Sequence, residues 1–193
     1  MSATPSTMLE LGTKLPAFRL RDVNGKTVSS DDFTGSTGVL VAFICPHCPY
    51  VRLVRSEFSR AANEFQQRGV AVVGINANDV AAAPDDDLDG MKKEAREVGY
   101  TFPYLYDETQ AVAKAFRAAC TPDFFLFDPH GRLVYRGQFD DSRPNSQTVV
   151  TGRDLKAAVD AMLAGTTVSA DQRPSIGCNI KWKKGSAPDY FSA

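Results

Sequence analysis

Val39 to Ile44 is an almost unbroken apolar run, and Val70 to Ile75 repeats it further along the chain. Each has the pattern of a strand covered on both faces. Between them Val51, Val54, Phe58, Ala61 or Ala62, and Phe65 recur at helical spacing, which predicts an amphipathic helix ending before Gly69. Upstream, Phe18-Arg19-Leu20 alternates, Asn24-Gly25 supplies a turn, and Thr27-Val28 gives a second short strand, together a hairpin. Downstream, Asn76 to Asp87 is a polar loop carrying Pro84 and the run Asp85-Asp86-Asp87. That run lacks the glycine and spaced ligands of an EF-hand loop and reads as solvated loop and helix capping. A helix follows with Leu88, Met91, Ala95 and Val98 on one side and Gly99 as its stop. A short strand around Tyr104-Leu105-Tyr106 and a short helix carrying Val112 and Phe116 then lead to Cys120-Thr121-Pro122. Phe124 to Phe127 and Leu133 to Tyr135 flank Asp128-Pro129-His130-Gly131, the pattern of an antiparallel hairpin. Thr151, as an N-cap with Asp154 following, opens a last predicted helix with Leu155, Val159, Met162 and Leu163 inward and Gly165 at its end.

Composition narrows the classes. With 193 residues, 43% of them apolar and 23% charged, the chain has material for one domain with a sizeable core and short tails. The expected organisation is a flexible arm over 1–14, a domain over 15–165, and a tail over 166–193 that folds back through Ile176, Ile180 and Trp182. A net charge of −1 leaves no basic field for nucleic acid or acidic membranes, and no apolar stretch approaches the roughly 20 residues that span a bilayer. The opening MSATPSTMLELGTKLPAF shows neither a basic leader nor an apolar core, so the expected location is the reducing cytoplasm. There, the four cysteines are too few for a disulfide scaffold and point to catalysis, redox sensing or metal binding.

The chemistry centres on Cys45-Pro46-His47-Cys48, placed where the first apolar run gives way to the helical pattern. Two thiols one turn apart on a helix lie roughly 5–6 Å from each other, close enough for a reversible disulfide. A sulfur at a helix N-terminus meets unpaired N–H groups and the positive end of the dipole, which favours thiolate. Cys45 is therefore expected as the nucleophile and Cys48 as the resolving thiol. Protonated His47 would favour the Cys45 thiolate further; as a solvated side chain it would have no effect. Arg52 would add positive potential or simply sit in solvent.

The order of strand, CxxC, crossover, Thr-Pro, β-hairpin and closing helix resembles the thioredoxin superfamily, specifically the redoxin branch of AhpC/TSA, peroxiredoxin-like proteins, over about residues 15 to 165. Its carriers are the segments Cys45 to Val51, Cys120 to Asp128, Tyr135-Arg136-Gly137 and Gly177 to Trp182. The resemblance implies an α/β thioredoxin-like fold: a central mixed β-sheet flanked by helices, with an N-terminal β-hairpin and a C-terminal tail. It implies a cis Thr121-Pro122 peptide facing the two sulfurs and presenting its backbone to a disulfide-bearing chain. It implies thiol–disulfide exchange with a protein disulfide or a small thiol, no cofactor beyond the redox-active disulfide, and no metal. The Pro46-His47 pair is that of DsbA-type oxidants, whereas the missing leader favours a reductase, and the direction stays open.

Two other readings remain. In a peroxiredoxin-like antioxidant Cys48 would be the peroxidatic thiol, but the family's upstream hydroxyl and proline are replaced by Ile44 and by Leu40 or Val41. In a metal module, Cys45, Cys48, Cys120 and Cys178 would hold zinc or copper, although only the first pair has ligand spacing. Cys120 is either an accessory thiol or a packed apolar residue, and Cys178 either meets another thiol or is a free structural cysteine.

Overall fold

The two apolar runs become neighbouring parallel strands in a computed structural model that describes residues 3–191. In chain order the strands are β1 (Ala3–Pro5), β2 (Arg19–Asp22), β3 (Thr27–Ser29), β4 (Gly38–Phe43), β5 (Val70–Asn76), β6 (Tyr104–Tyr106), β7 (Cys120–Thr121), β8 (Asp123–Phe127), β9 (Leu133–Gly137) and β10 (Ile176–Asn179). The helices are α1 (Pro49–Gln67), α2 (Leu88–Val98), α3 (Ala111–Ala115) and α4 (Arg153–Leu163). Seven strands form one mixed sheet in the order β3-β2-β6-β5-β4-β8-β9, with β4 parallel to β5 and antiparallel to β8. This is the thioredoxin-like arrangement of a central mixed sheet flanked by helices.

Every residue of β4 is buried, because both faces of the sheet are covered. Leu40, Ala42 and Ile44 pack with Phe58, Phe65, Leu155 and Val159 from α1 and α4. Val39, Val41 and Phe43 pack on the opposite face with Phe116, Phe125 and Phe127. The period of two along an extended chain produces this division. The stripe predicted on α1 is the buried one, and Phe58 lies at its centre, its ring 5.2 Å from Phe124 and 5.5 Å from Phe102. Truncating a ring held this way typically costs about 3–5 kcal/mol.

Both predicted hairpins form, β2 with β3 and β8 with β9, the second closed by Gly131 N–H donating to the Asp128 carbonyl at 2.9 Å. Two local expectations need correction. The last helix begins at Arg153, with Gly152 rather than Thr151 as its N-cap; Gly152 has φ of 67°, and the Thr151 hydroxyl accepts from Arg153 N–H at 3.3 Å. The segment expected as a loose arm contains β1, whose residues Ala3, Thr4 and Pro5 pair with Cys178, Gly177 and Ile176 of the tail. The tail does fold back: β10 lies between β1 and β7 in a second, three-stranded sheet. Arm and tail each satisfy the other's backbone, which neither could do alone. No helix of the described residues is long and apolar enough to cross a membrane.

Candidate functional site

The chain leaves β4 after Phe43, and Ile44 N–H still donates to the Ile75 carbonyl of β5 at 3.0 Å. Cys45 follows in extended chain, Pro46 and His47 make a turn, and Cys48 is the N-cap of α1 with Pro49 at the first helical position. Proline suits that position because its missing N–H would have no helical partner and its φ is already helical. This corrects the expected placement. The helix starts after the CxxC, so Cys48, not Cys45, sits at its positive end. The Arg52 guanidinium is tied to the turn, donating from Nε to the Pro46 carbonyl at 2.8 Å.

Both cysteines are fully buried, with 0% of either exposed. The Thr121-Pro122 peptide is cis. Thr121 touches both sulfurs: its hydroxyl is 3.3 Å from Cys45 Sγ, and its carbonyl accepts from Cys48 Sγ at 3.1 Å. Cys45 and Cys48 also hydrogen-bond each other. Burial pushes the Cys45 thiol well up, and the Cys48 sulfur and the Asp86 charge push it the same way. The Cys48 sulfur is held well below the ordinary thiol value instead, by donation from the Cys178 and Cys45 thiols first, against burial, with smaller help from Thr121 and the Val51 amide. These donors outweigh the one carbonyl acceptor. The expectation that the leading sulfur is the more easily ionised is therefore reversed, because the helix end and the neighbouring thiols both lie on the Cys48 side.

Of the two cysteines outside the CxxC, Cys178 is the one that reaches the centre. It lies directly opposite Thr121 in the β10–β7 pairing, within hydrogen-bonding reach of Cys48, and its own thiol is raised by that contact and by burial. Cys120 does not join them. Its sulfur faces the carbonyls of Pro122 and Ser175 at 3.8 and 4.0 Å, and burial holds it as a thiol.

On the other side of the turn stands Asp86, in a run whose pattern predicts solvated loop and helix capping. Asp86 is fully buried: Oδ1 accepts from His47 N–H at 2.9 Å, and Oδ2 lies 2.5 Å from His47 Nδ1 and accepts from Asn78 Nδ2 at 2.7 Å. The capping role belongs to its neighbour Asp87, which accepts from Gly90 N–H. The hydrogen bond to Asp86 raises His47 above the usual imidazole value, against its partial burial. Nδ1 of His47 is 3.7 Å from Cys45 Sγ. A second buried acid, Glu94, is pushed up to about 7 by desolvation, with Arg55 and Tyr104 opposing. The Tyr104 hydroxyl lies 3.2 Å from Glu94 Oε2 and 3.3 Å from the carbonyl of Ile44, which precedes Cys45.

Metal binding finds little support in this geometry. Among the described residues, the cluster whose donor atoms converge within 4.8 Å is Cys45, His47 and Asp86, not the four cysteines. His47 Nδ1 and Asp86 Oδ2 share a hydrogen bond at 2.5 Å, too close for two ligands spread around an ion with metal–ligand bonds of about 2.0–2.1 Å in tetrahedral array.

Comparisons with known proteins bear on the family and the fold. The AhpC/TSA family pattern matches residues 11–136. An uncharacterized conserved protein from Geobacillus kaustophilus, known as a crystal structure, is 51% identical and superposes with a TM-score of 0.93 over 97% of this chain and 99% of that one. The thiol-disulfide oxidoreductase ResA of Bacillus thuringiensis subsp. konkukian (strain 97-27) is 22% identical over 68% of this chain and 71% of its own. The chloroplastic peroxiredoxin Q of Suaeda salsa is 28% identical over 72% of this chain and 65% of its own. One of these relatives is named a thiol-disulfide oxidoreductase and the other a peroxiredoxin, and the chain is an oxidoreductase at that family level.

Proposed function

This chain belongs to the AhpC/TSA family, and from that premise we propose that it is a thiol–disulfide oxidoreductase whose working centre is the Cys45/Cys48 dithiol. The observation that carries the reading is the contact of both sulfurs with one residue, Thr121, and with each other. Such a pair closes to a disulfide and reopens with little rearrangement.

Cys45, on the His47 side, gives its proton to Cys48 and attacks the external disulfide, whose S–S bond breaks to leave a Cys45 mixed disulfide and one substrate sulfur as thiolate. Cys48 then attacks the mixed disulfide, closing the Cys45–Cys48 ring and releasing the substrate as a thiol. His47 and Pro46 shape the turn, and Thr121 and Pro122 hold the facing loop. The substrate is a protein disulfide or a small thiol in its oxidised form, and the cycle uses no cofactor besides the disulfide itself. Net charge and chain pattern favour a partner other than nucleic acid or membrane, in the cytoplasm.

Insulin reduction, or exchange with glutathione disulfide, measured on wild type and Cys45→Ser tests the assignment. Loss of turnover in the variant is expected; equal rates would remove Cys45 as the nucleophile. The direction follows from the reduction potential, with a value near about −270 mV indicating a reductase and one near about −120 mV an oxidant.

A second reading draws on the ionised Cys48, since a stabilised thiolate also attacks peroxide. A peroxidatic Cys48 requires peroxide consumption that survives Cys45→Ser and disappears in Cys48→Ser. Equal peroxide consumption by the two variants would exclude it.

A further inference from the structure

Three buried sulfurs gather around Thr121, and Cys48 is hydrogen-bonded to both Cys45 and Cys178. Cys178 is brought there by a strand, not by chance packing. β10 pairs antiparallel with β7 in a register that sets Cys178 opposite Thr121 and Asn179 opposite Cys120, and β1 pairs along its other edge. Directly opposed residues project from the same face, so Cys178 shares the face of Thr121 that looks onto the CxxC turn. Close approach of this strand depends on Gly177, where a Cβ would stand 2.0 Å from the Thr121 carbonyl oxygen. The space left between α1, the Pro122 loop and β10, lined by Tyr50, Pro122 and Ile176, is about 10 Å³. The strand lies along the peptide that faces the dithiol, paired with it as an extended chain bearing a sulfur.

We propose that Cys178 is a third redox thiol, positioned by β10 to accept the disulfide from the Cys45–Cys48 pair. This rests on the exchange reading above. In the step, Cys178 Sγ attacks Cys48 Sγ; the Cys48–Cys178 bond forms, the Cys45–Cys48 bond breaks, and Cys45 leaves with the electron pair. The proton given up by Cys178 ends on Cys45, so one thiol and one disulfide enter and one of each leave, with no outside oxidant. Cys48 is the common partner because it touches both other sulfurs. The consequence is an internal store for the oxidised state. With the bond moved to Cys178, Cys45 is again a free thiol while the chain remains oxidised.

The test is disulfide mapping on the full chain. Wild type is oxidised with glutathione disulfide, acid-quenched, alkylated and digested without reduction, and the linked peptides are identified by mass. Both Cys45–Cys48 and Cys48–Cys178 links are expected in wild type, the second alone in Cys45→Ser, and the first alone in Cys178→Ser. The proposal is overturned if Cys45–Cys48 forms in wild type while Cys178 is alkylated throughout, both there and in folded Cys45→Ser; the exchange reading would then stand without it. If no Cys45–Cys48 link forms in wild type or in Cys178→Ser, the exchange reading itself fails and takes this proposal with it. Mapping on wild type alone decides the matter should either variant fail to fold.

Discussion

The two cysteines of the CPHC turn are three residues apart, and their surroundings are chemically opposite. Cys45 looks toward the acid flank, where His47 and Asp86 share a proton and Asn78 braces the carboxylate. Cys48 looks toward the sulfur flank, where Cys178, the Thr121 carbonyl and the start of α1 converge. The difference explains why the Cys45 thiol is pushed up while the Cys48 thiol is held down. An anion beside a buried carboxylate is disfavoured, whereas one ringed by thiol donors at a helix N-terminus is stabilised. A CxxC spacing therefore supplies a pair, and the neighbours brought by distant segments decide which member is ionised.

The comparison breaks most completely at its shared atom. Cys48→Ser removes the acceptor for both possible links, and exchange activity is expected to fall to background while Cys45 and Cys178 become separately alkylable thiols. A Cys45–Cys178 link in that variant would show that the three sulfurs are not arranged with Cys48 in the middle.

On the acid flank the sharper probe is pH. His47 is raised in the folded state by its hydrogen bond to Asp86, so the folded chain holds that proton more tightly than the unfolded one. The stabilisation is fully present below the unfolded value of about 6.5 and is lost as pH rises through the raised folded value. His47→Ala is expected to cost about 1.5–3 kcal/mol at pH 6, the range for a hydrogen bond to a charged group, and less at high pH. Urea unfolding of both proteins across that range measures it. A cost that does not change with pH would mean that His47 is not held charged by Asp86.

The sulfur flank is tested by lifting β10. Gly177→Ala drives a methyl group into the Thr121 carbonyl, at an expected cost of about 1–3 kcal/mol for overpacking. Because Cys178 on this strand lies against Cys48, alkylation of the CxxC thiols by N-ethylmaleimide should accelerate in the variant. An unchanged alkylation rate in a folded Gly177→Ala would show that something other than β10 seals them.

The sheet, both hairpins, α1 and the CxxC position were legible in the sequence because each is a local pattern: an apolar run, a helical stripe, a turn dipeptide. The cis Thr121-Pro122 peptide facing the dithiol is different: the thioredoxin-like resemblance implies it, and no local pattern does. The two flanks were not legible. Asp86 is one of three consecutive aspartates, and only the short helical turn over Pro84–Asp86 swings it inward while Asp87 caps α2. The helix starts one turn later than the CxxC placement predicts, because Pro49 takes the first helical position. Cys178 owes its place to the register of a four-residue strand in a tail without periodicity, paired with an arm that looked unstructured. Such long-range pairing leaves no local signal.

Cys120 provides the smallest and most specific test of that register. It lies one residue before Thr121 on β7, so its side chain leaves the strand on the opposite face, toward the Pro122 and Ser175 carbonyls. Cys120→Ala should cost only about 1 kcal/mol, the loss of one buried, weakly bonded sulfur, and should leave both the Cys45–Cys48 and Cys48–Cys178 links intact. Thermal unfolding and disulfide mapping of the oxidised variant measure the two effects. If removing Cys120 abolished the Cys48–Cys178 link, the link would run through Cys120, and β10 would have to pair with β7 one residue out of the observed register. Because a one-residue slip exchanges the faces of the whole strand, that small substitution decides whether the third thiol is Cys178 by construction or by accident of packing.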